Sequence, residues 1–249
     1  MGRTRNIKDL MKTDNIYENG LLLQTTGHTL RPGGFLLTDQ AVRNCGFLPG
    51  AEVLDVGCGY GATVDRLVSL YQLKAFGIDP SETLLTIGHQ NYPNLSLSQG
   101  IGEKLPFADG SMDGVFAECS LSLMTDTNQA LREMYRVLKS AGRLVIHDVY
   151  ARNAQGVQEL RELSLNSCIR QALTEEQILE SLDSLGFQIL QWQDHSPLLV
   201  QLTVDLIMKH GSMQAFWLKS AGCPSDQEKV QGALKKARMG YFQVLVQKS

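Results

Sequence analysis

Seven consecutive residues, Asp55-Val56-Gly57-Cys58-Gly59-Tyr60-Gly61, limit the folds open to this chain more than any other segment. They join an apolar, β-branched run, Glu52 to Val56, to a segment in which Val64, Leu67, Val68 and Tyr71 form a stripe of helical period. Glycines at such a junction let the backbone turn sharply and let a ligand lie against it with no Cβ in the way. Asp79 ends the next apolar run, 22 positions after Gly57, where a carboxylate can accept both ribose hydroxyls of an adenosine. A nucleoside-bearing cofactor on an α/β fold is implied. Gly57, Gly59 and Ala62 also satisfy the G-x-G-x-x-G/A pattern of dinucleotide enzymes, so an NAD-dependent oxidoreductase is one reading of the turn. Asp55 points elsewhere: a carboxylate two positions before the turn would repel a pyrophosphate but suits a ligand carrying an ammonium and a sulfonium. S-adenosylmethionine carries both.

The rest of the chain alternates strand and helix, the pattern of parallel strands joined by crossover helices. Further strands are expected at about Leu73 to Ile78, near Leu95 to Leu97, and at Gly114 to Ala117, Arg143 to Val149, Phe187 to Trp192 and Tyr241 to Gln247. Ser81 caps a helix running to about Gln90. Asp126 with Gln129 opens a helix carrying Leu131, Met134, Tyr135 and Leu138, which Gly142 ends. Thr174-Glu175-Glu176-Gln177 opens another, carrying Ile178, Leu182 and Leu185 and stopping at Gly186. Upstream, Arg31-Pro32-Gly33-Gly34 precedes a helix with Leu36, Leu37, Ala41 and Val42.

Pro197 to Arg238 is a long, mainly helical insert ahead of the last strand. Leu198 to Met208 is nearly continuously apolar, and Val230, Ala233, Leu234 and Ala237 form a stripe. The insert is longer than a connection between neighbouring antiparallel strands requires. It either extends the core or roofs a pocket above the strand ends, excluding water and choosing the substrate. The whole predicts one domain, 1–249, with an N-terminal helical lid at 1–48, a cofactor-binding core at 49–150 and a helical insert at 195–239.

Composition removes several function classes. With 43% hydrophobic and 20% charged positions, 249 residues can build a core without disulfides or structural metal. Lys and Arg number 23 against 26 Asp and Glu, a net charge of −3 that offers no field to a nucleic-acid backbone. Cys45, Cys58, Cys119, Cys168 and Cys223 are odd in number and hold no close pair of the zinc-binding kind, so a reduced cytoplasmic protein without metal is expected. Met1 to Ile16 lacks the apolar stretch of a signal peptide, Asn6 breaks the myristoylation motif, and no apolar run has the length of a membrane span. Neither a membrane nor a nucleic-acid partner is expected.

From Pro49 to Val149 the chain resembles the class I S-adenosylmethionine-dependent methyltransferases. Three blocks carry the resemblance in order: Val53 to Gly61, then Gly77-Ile78-Asp79-Pro80-Ser81, then Leu105-Pro106-Phe107-Ala108-Asp109-Gly110-Ser111-Met112-Asp113. A fourth, Ala130 to Lys139, is similar to the helix before the fifth strand of that family. The resemblance implies an α/β, Rossmann-like seven-stranded sheet, mostly parallel with an antiparallel last strand between the fifth and sixth, and helices on both faces. It implies S-adenosylmethionine as cofactor, bound by Asp55, Gly57, Cys58, Gly59, Gly61, Asp79, Pro80, Ile101, Gly102, Glu103 and Glu118. Many relatives place an Asp where Ile101 stands; here apolar side chains would sandwich the adenine, with its amine on a main-chain carbonyl. The Asn-Pro-Pro-Tyr of certain amino-group methyltransferases is replaced by Glu118-Cys119-Ser120-Leu121, which speaks against DNA adenine or glutamine as acceptor.

Methyl transfer from a sulfonium is an in-line displacement on an activated donor, so holding the acceptor lone pair in line can suffice and a base is optional. Acceptor-side residues should come from the carboxyl ends of the strands. Glu118, Cys119 and Ser122 follow the fourth strand, and Asp148 and Tyr150 end the fifth. Glu118 falls where related enzymes place a polar residue facing the transferred methyl, which makes it the candidate catalytic residue, orienting the acceptor or taking its proton. Tyr17 and Arg31, from the lid, and Ser122 and Asp148 complete the substrate-side set; Arg31 either pairs with a cofactor or substrate carboxylate or is solvated. His147 reads as a packed core histidine, and Cys58 and Cys119 as small apolar fillers. With no basic stripe or separate recognition domain, methyl transfer to a small-molecule acceptor leads; a non-catalytic sensor of the methyl donor and an NAD-dependent oxidoreductase are the alternatives.

Overall fold

The computed structural model describes residues 15–27, 29–163, 167–220 and 227–249; Met1-Gly2, Asn6 and Cys223 lie outside the described residues. Strands β1 (Glu52–Val56), β2 (Lys74–Asp79), β3 (Ser96–Gln99), β4 (Met112–Glu118), β5 (Leu138–Ala151), β6 (Phe187–Asp194) and β7 (Met239–Lys248) form one sheet. Its order is β3-β2-β1-β4-β5-β7-β6, parallel except for β7, which runs antiparallel to both β5 and β6. The chain moves from β1 outward to β3 and then returns to the other side of β1 as β4. That reversal opens a crevice at the carboxyl ends of β1 and β4, where open α/β sheets bind ligands. Helices α1 (Leu21–Thr26), α2 (Leu36–Cys45), α3 (Ala62–Ser69), α4 (Glu82–Asn91), α5 (Thr127–Val137), α6 (Val157–Arg161) and α7 (Glu175–Ser184) surround it, and α8 (Ser196–His210), α9 (Met213–Ser220) and α10 (Gln227–Ala237) make up the insert. Among the described residues no helix is long and apolar enough to cross a membrane.

Strand periodicity divides the core in two. Leu54, Val56, Val115, Ala117, Leu144, Ile146, Val244 and Val246 pack with Leu131 and Met134 of α5 and Ile178 and Leu182 of α7. The alternate positions Val53, Phe116, Val145 and Leu245 pack with Ala41 and Val42 of α2, Val64 and Leu67 of α3 and Leu85 of α4. Asp55, Glu118, His147 and Gln243 share the phase of this second face, one step nearer the strand ends, and register pairs Glu118 with His147 and His147 with Gln243. A third cluster joins Leu206, Phe216, Trp217, Val230 and Ala233 of the insert to Ile16, Leu22, Val149 and Tyr241.

Several local expectations need correction. Helix α3 ends at Ser69, too early for Tyr71 to extend its stripe, and Val68 is left exposed. Gly142 does not end α5: the helix stops at Val137, and Leu138 already pairs with Met112 as the start of β5. The register then shifts between Met112 and Gly114, with Ala141 at φ 62°, and a Cβ on Gly142 would lie 2.9 Å from the Lys139 carbonyl oxygen. That glycine serves a bulge. The apolar run in α8 is not uniformly buried, since Val200, Val204, Ile207 and Met208 are exposed while Leu206 is buried.

Helix α7 starts where its sequence says, with Gln177 N–H donating to Thr174 Oγ1 at 3.3 Å and Thr174 N–H donating to Gln177 Oε1 at 3.0 Å. Thr174→Ala removes the side-chain half of this capping box. Thermal denaturation should register a loss of about 1 kcal/mol, a fall of about 2–4 °C in a chain of this size, and Thr174→Ser should restore it.

Candidate active site

A cleft of about 340 Å³ lies over the carboxyl ends of β1, β2 and β4. The turn after β1 forms its floor. Gly57 sits at φ 80°, and a Cβ there would stand 2.3 Å from Ser120 Cβ, so the residue after β4 dictates glycine at that point. Gly59, at φ 56°, meets nothing nearer than Leu30 Cδ1 at 3.8 Å and leaves its backbone open to the cleft. Gly61 is closed off by Leu97 and belongs to the packing of α3 rather than to the open floor.

Two carboxylates beside this turn are in contrasting states. Asp79 is held by backbone donors, Gly59 N–H to Oδ2 and Ser81 N–H to Oδ1, both at 2.8 Å. Burial raises its pKa, and those two N–H groups offset part of the rise. Asp55 is 2% exposed and accepts no side-chain hydrogen bond among the described residues. Burial, and next the Glu118 charge, push its pKa well above the ordinary carboxylate value, while Arg31 pulls it back only partly. A buried carboxylate facing a cleft with no cation of its own is a place for a cationic ligand.

Glu118 is the opposite case. Its Oε1 accepts from Thr38 Oγ1 at 2.8 Å and lies 2.9 Å from His147 Nδ1; its Oε2 accepts from Thr63 Oγ1 at 2.8 Å and pairs with Arg31 at 2.9 Å. Burial alone would raise its pKa, but Arg31, then His147 and Thr38, hold it down at about 2. The tautomer of His147 follows from Gln243, whose Nε2 donates to the Leu37 carbonyl at 3.2 Å and lies 2.7 Å from His147 Nε2. That nitrogen of the ring therefore accepts, and Nδ1 carries its proton toward Glu118. Arg31 also donates to Thr38 Oγ1 at 2.7 Å, but among the described residues its buried Nε has no partner, and neither does Thr29 Oγ1; both residues line the cleft.

The segment before α2 closes over this cleft through four ties. Ser81 Oγ donates to Glu18 Oε1 at 2.9 Å, Tyr60 Oη to the Gly27 carbonyl at 3.4 Å, Cys168 N–H to Tyr17 Oη at 3.2 Å, and Arg31 pairs with Glu118. Pro80, Ile101, Gly102, Glu103, Cys58 and Met124 line the far end, with Ile101 49% exposed at the rim. Glu103 turns its Oε1 to the backbone N–H groups of Thr125 and Asp126, at 2.7 and 3.2 Å, and so braces the loop.

Ser122 and Asp148, expected on the acceptor side, line neither this cleft nor its neighbour. They are buried against one another: Ser122 Oγ donates to Asp148 Oδ1 at 2.6 Å and Ser122 N–H to Oδ2 at 3.0 Å. Burial raises the Asp148 carboxyl to about 6. The pair fixes the turn after β4 to the end of β5.

A second cavity, about 470 Å³, adjoins the first and shares Tyr17, Leu30 and Cys119 with it. Leu202, Leu206, Met213, Phe216, Trp217 and Val230 of the insert line it opposite Val149 and Ile169. Cys119 reaches the boundary because its backbone takes the left-handed φ of 57°, unusual for a residue with a Cβ, with its N–H bonded to the His147 carbonyl at 2.6 Å. Its Sγ lies 3.3 Å from Tyr241 Oη.

Sequence reasoning missed Thr29, Thr38, Thr63 and Gln243, and read His147 only as core. Strand parity was the one available signal, since it puts Glu118, His147 and Gln243 on one face.

A family profile described as a methyltransferase domain matches residues 54–146. The chain is similar to the uncharacterized methyltransferase YcgJ of Bacillus subtilis, 30% identical over 72% of this chain and 68% of that protein. It is also similar to demethylmenaquinone methyltransferase of Chlorobaculum parvum, 34% identical over 41% of this chain and 43% of that one. Among solved structures, the [4+2]-cyclase SpnF superposes with a TM-score of 0.72 at 26% identity, covering 94% of this chain and 93% of its own. Phosphoethanolamine N-methyltransferase 2 of Haemonchus contortus, in complex with S-adenosyl-L-methionine, shares the fold with a TM-score of 0.71 at 19% identity over 99% of this chain and 60% of its own.

Removing the Glu118 carboxylate strands the Arg31 charge in the interior, so Glu118→Ala should cost about 3 to 5 kcal/mol in urea unfolding at neutral pH. Because the fold lowers this pKa, its stabilisation is present above the ordinary carboxylate value and is lost as pH falls toward about 2. Unfolding titrations across that window should therefore show a shallower acid loss in Glu118→Gln than in the parent.

Proposed function

The chain belongs to the class I S-adenosylmethionine-dependent methyltransferases, and we propose that it methylates a small-molecule acceptor held in the second cavity. One observation carries the reading: an unpaired buried carboxylate, Asp55, stands in a glycine-floored cleft that opens through Tyr17, Leu30 and Cys119 onto a separate cavity roofed by the insert. The residues present fit the cofactor. Asp55 would face its ammonium and sulfonium charges, Asp79 its ribose hydroxyls, and the open backbone at Gly59 would allow close approach. Pro80, Ile101, Gly102 and Met124 would flank the adenine, and the free Arg31 Nε with Thr29 Oγ1 would take the carboxylate. When bound, the cofactor supplies a methyl group on a positively charged sulfur, already activated for displacement.

The chain's own part is then positioning and water exclusion. Residues 15–27 and 29–35 act as a lid over the cofactor, and α8 to α10 as a roof over the acceptor. Glu118 acts as a positioning residue. With its oxygens held by Thr38, Thr63 and Arg31 and its pKa at about 2, it is a poor proton acceptor, and it serves to hold Arg31, Thr38 and Thr63 around the cleft. Of the two roles expected from its position after β4, orienting the acceptor or taking its proton, this reading keeps a positioning role.

Asp55 gives a test with two opposite signs. Its raised pKa means that stability is lost as pH rises through the folded-state value, because a buried carboxylate must then ionise. Asp55→Asn keeps the neutral form, so the cofactor-free variant should melt higher than the parent at neutral pH. Calorimetry should find its affinity for S-adenosylmethionine lowered by at least about tenfold, the loss of one charged hydrogen bond. The parent should bind more tightly as pH rises through the same range. Unchanged affinity in both Asp55→Asn and Asp79→Ala, with the folds intact, would remove the cleft as the cofactor site.

A further inference from the structure

Resting on that reading, we infer that the acceptor is an uncharged, mainly hydrocarbon molecule bearing a phenolic or enolic hydroxyl, and that its nucleophile forms without a protein base. The cavity lining carries the first half. The side chains named above present carbon almost throughout, and among the described residues no carboxylate or histidine lines the space. Val200 and Val204 line it and are also 61% and 45% exposed, so the mouth opens through an apolar face of α8. A charged acceptor would be desolvated there with no counter-charge on the inner wall. Among the described lining residues the single cation, Lys235, stands exposed on α10.

The boundary with the cofactor cleft carries the second half. Among the described residues only Tyr17, Leu30 and Cys119 belong to both spaces. Burial pushes the Tyr17 hydroxyl and the Cys119 thiol well above their ordinary pKa values, so both keep their protons at neutral pH. The junction thus offers proton donors, and the nearby carboxylate Glu118 is saturated. Donors with no base complement a neutral hydroxyl acidic enough to lose its proton without help as the methyl is transferred. Phenols and enols meet that need, whereas an aliphatic alcohol or an ammonium would require a base. In the transfer, the acceptor oxygen releases its proton to water and gives its lone pair to the methyl carbon, whose bond to sulfur breaks with the electron pair remaining on sulfur.

The experiment uses the intact chain and two probe series, 4-alkylphenols and 4-alkylbenzoates from ethyl to octyl, read by quenching of Trp217 emission and by calorimetry. Trp217→Phe separates that signal from Trp192. Phenol affinity should rise about fourfold per added methylene, and each benzoate should bind at least tenfold more weakly than its phenol. Leu202→Asp should abolish phenol binding while leaving cofactor affinity unchanged, with Leu199→Asp as the second variant should the first misfold. With cofactor present, mass spectrometry should detect the aryl methyl ether, and its rate should follow the phenol's own ionisation, shifting to lower pH when a ring nitro group acidifies the probe. Affinity flat across chain length, benzoates binding as tightly as phenols, or a pH profile that stays fixed when the probe's acidity changes would each overturn the inference. Because cofactor binding is measured separately, failure with intact cofactor affinity rejects the acceptor class alone, and loss of cofactor binding rejects the underlying reading.

Discussion

The buried ion pair between Arg31 and Glu118 organises the space above the sheet. Glu118 ends the central strand β4, while its partners arrive from the segment before α2, from α2 itself, from α3 and from β5. A carboxylate this deep is costly unless every lone pair is met, so the four groups cannot move independently. Fixing them sets the distance between the lid segment and the glycine turn. Asp55, two strand positions in phase with Val53 and beside Glu118 on the same face, receives none of these donors. The contrast between a hydrogen-bonded and an unsatisfied carboxylate follows from where Arg31 points, and it leaves Asp55 facing the cleft with its hydrogen-bonding capacity unspent among the described residues.

Much of the fold could be read from the sequence because its signals are local. Strand, turn and helix over residues 52–69 are dictated by apolar phase and by glycines whose backbone angles are left-handed. The caps at Ser81, Asp126 and Thr174 lie where their side chains meet the N–H groups of Leu84, Gln129 and Gln177. Phase also explains the misreadings. Gly142 looked like a helix stop because a C-terminal glycine and a bulge glycine are the same letter, and only the shift in pairing with β4 tells them apart.

The candidate site was legible only in part. The cofactor side rests on residues close in sequence, and Asp55, Gly57, Gly59, Asp79, Pro80, Ile101, Gly102 and Glu118 all line one cleft. The partners of Glu118 are 80 and 55 residues away in Thr38 and Thr63, and no local pattern marks them. Ser122 and Asp148 misled for the converse reason: they stand at the carboxyl ends of strands, as ligand-binding residues do, but satisfy each other. Polar residues at strand ends belong to a site only when some of their hydrogen-bonding capacity remains unspent.

The described residues of the insert both extend the core and line the second cavity. Phe216 and Trp217 are buried and cluster with Val149 and Tyr241, as a core extension would be, yet the same residues line the second cavity. A helix hydrophobic on nearly every side must find cover on more than one face, and α8 does so with Leu206 inward while Val200 and Val204 edge the mouth. Asp55, Asp79 and Glu118 thereby line the cleft, and the adjoining cavity is lined mainly by carbon. Such a partition strengthens any electrostatic contact made in the cleft, since low-polarity walls on one side reduce screening. On the proposed reading, substitutions in the insert and in the cleft act on different ligands, and among the described residues the two spaces meet at Tyr17, Leu30 and Cys119.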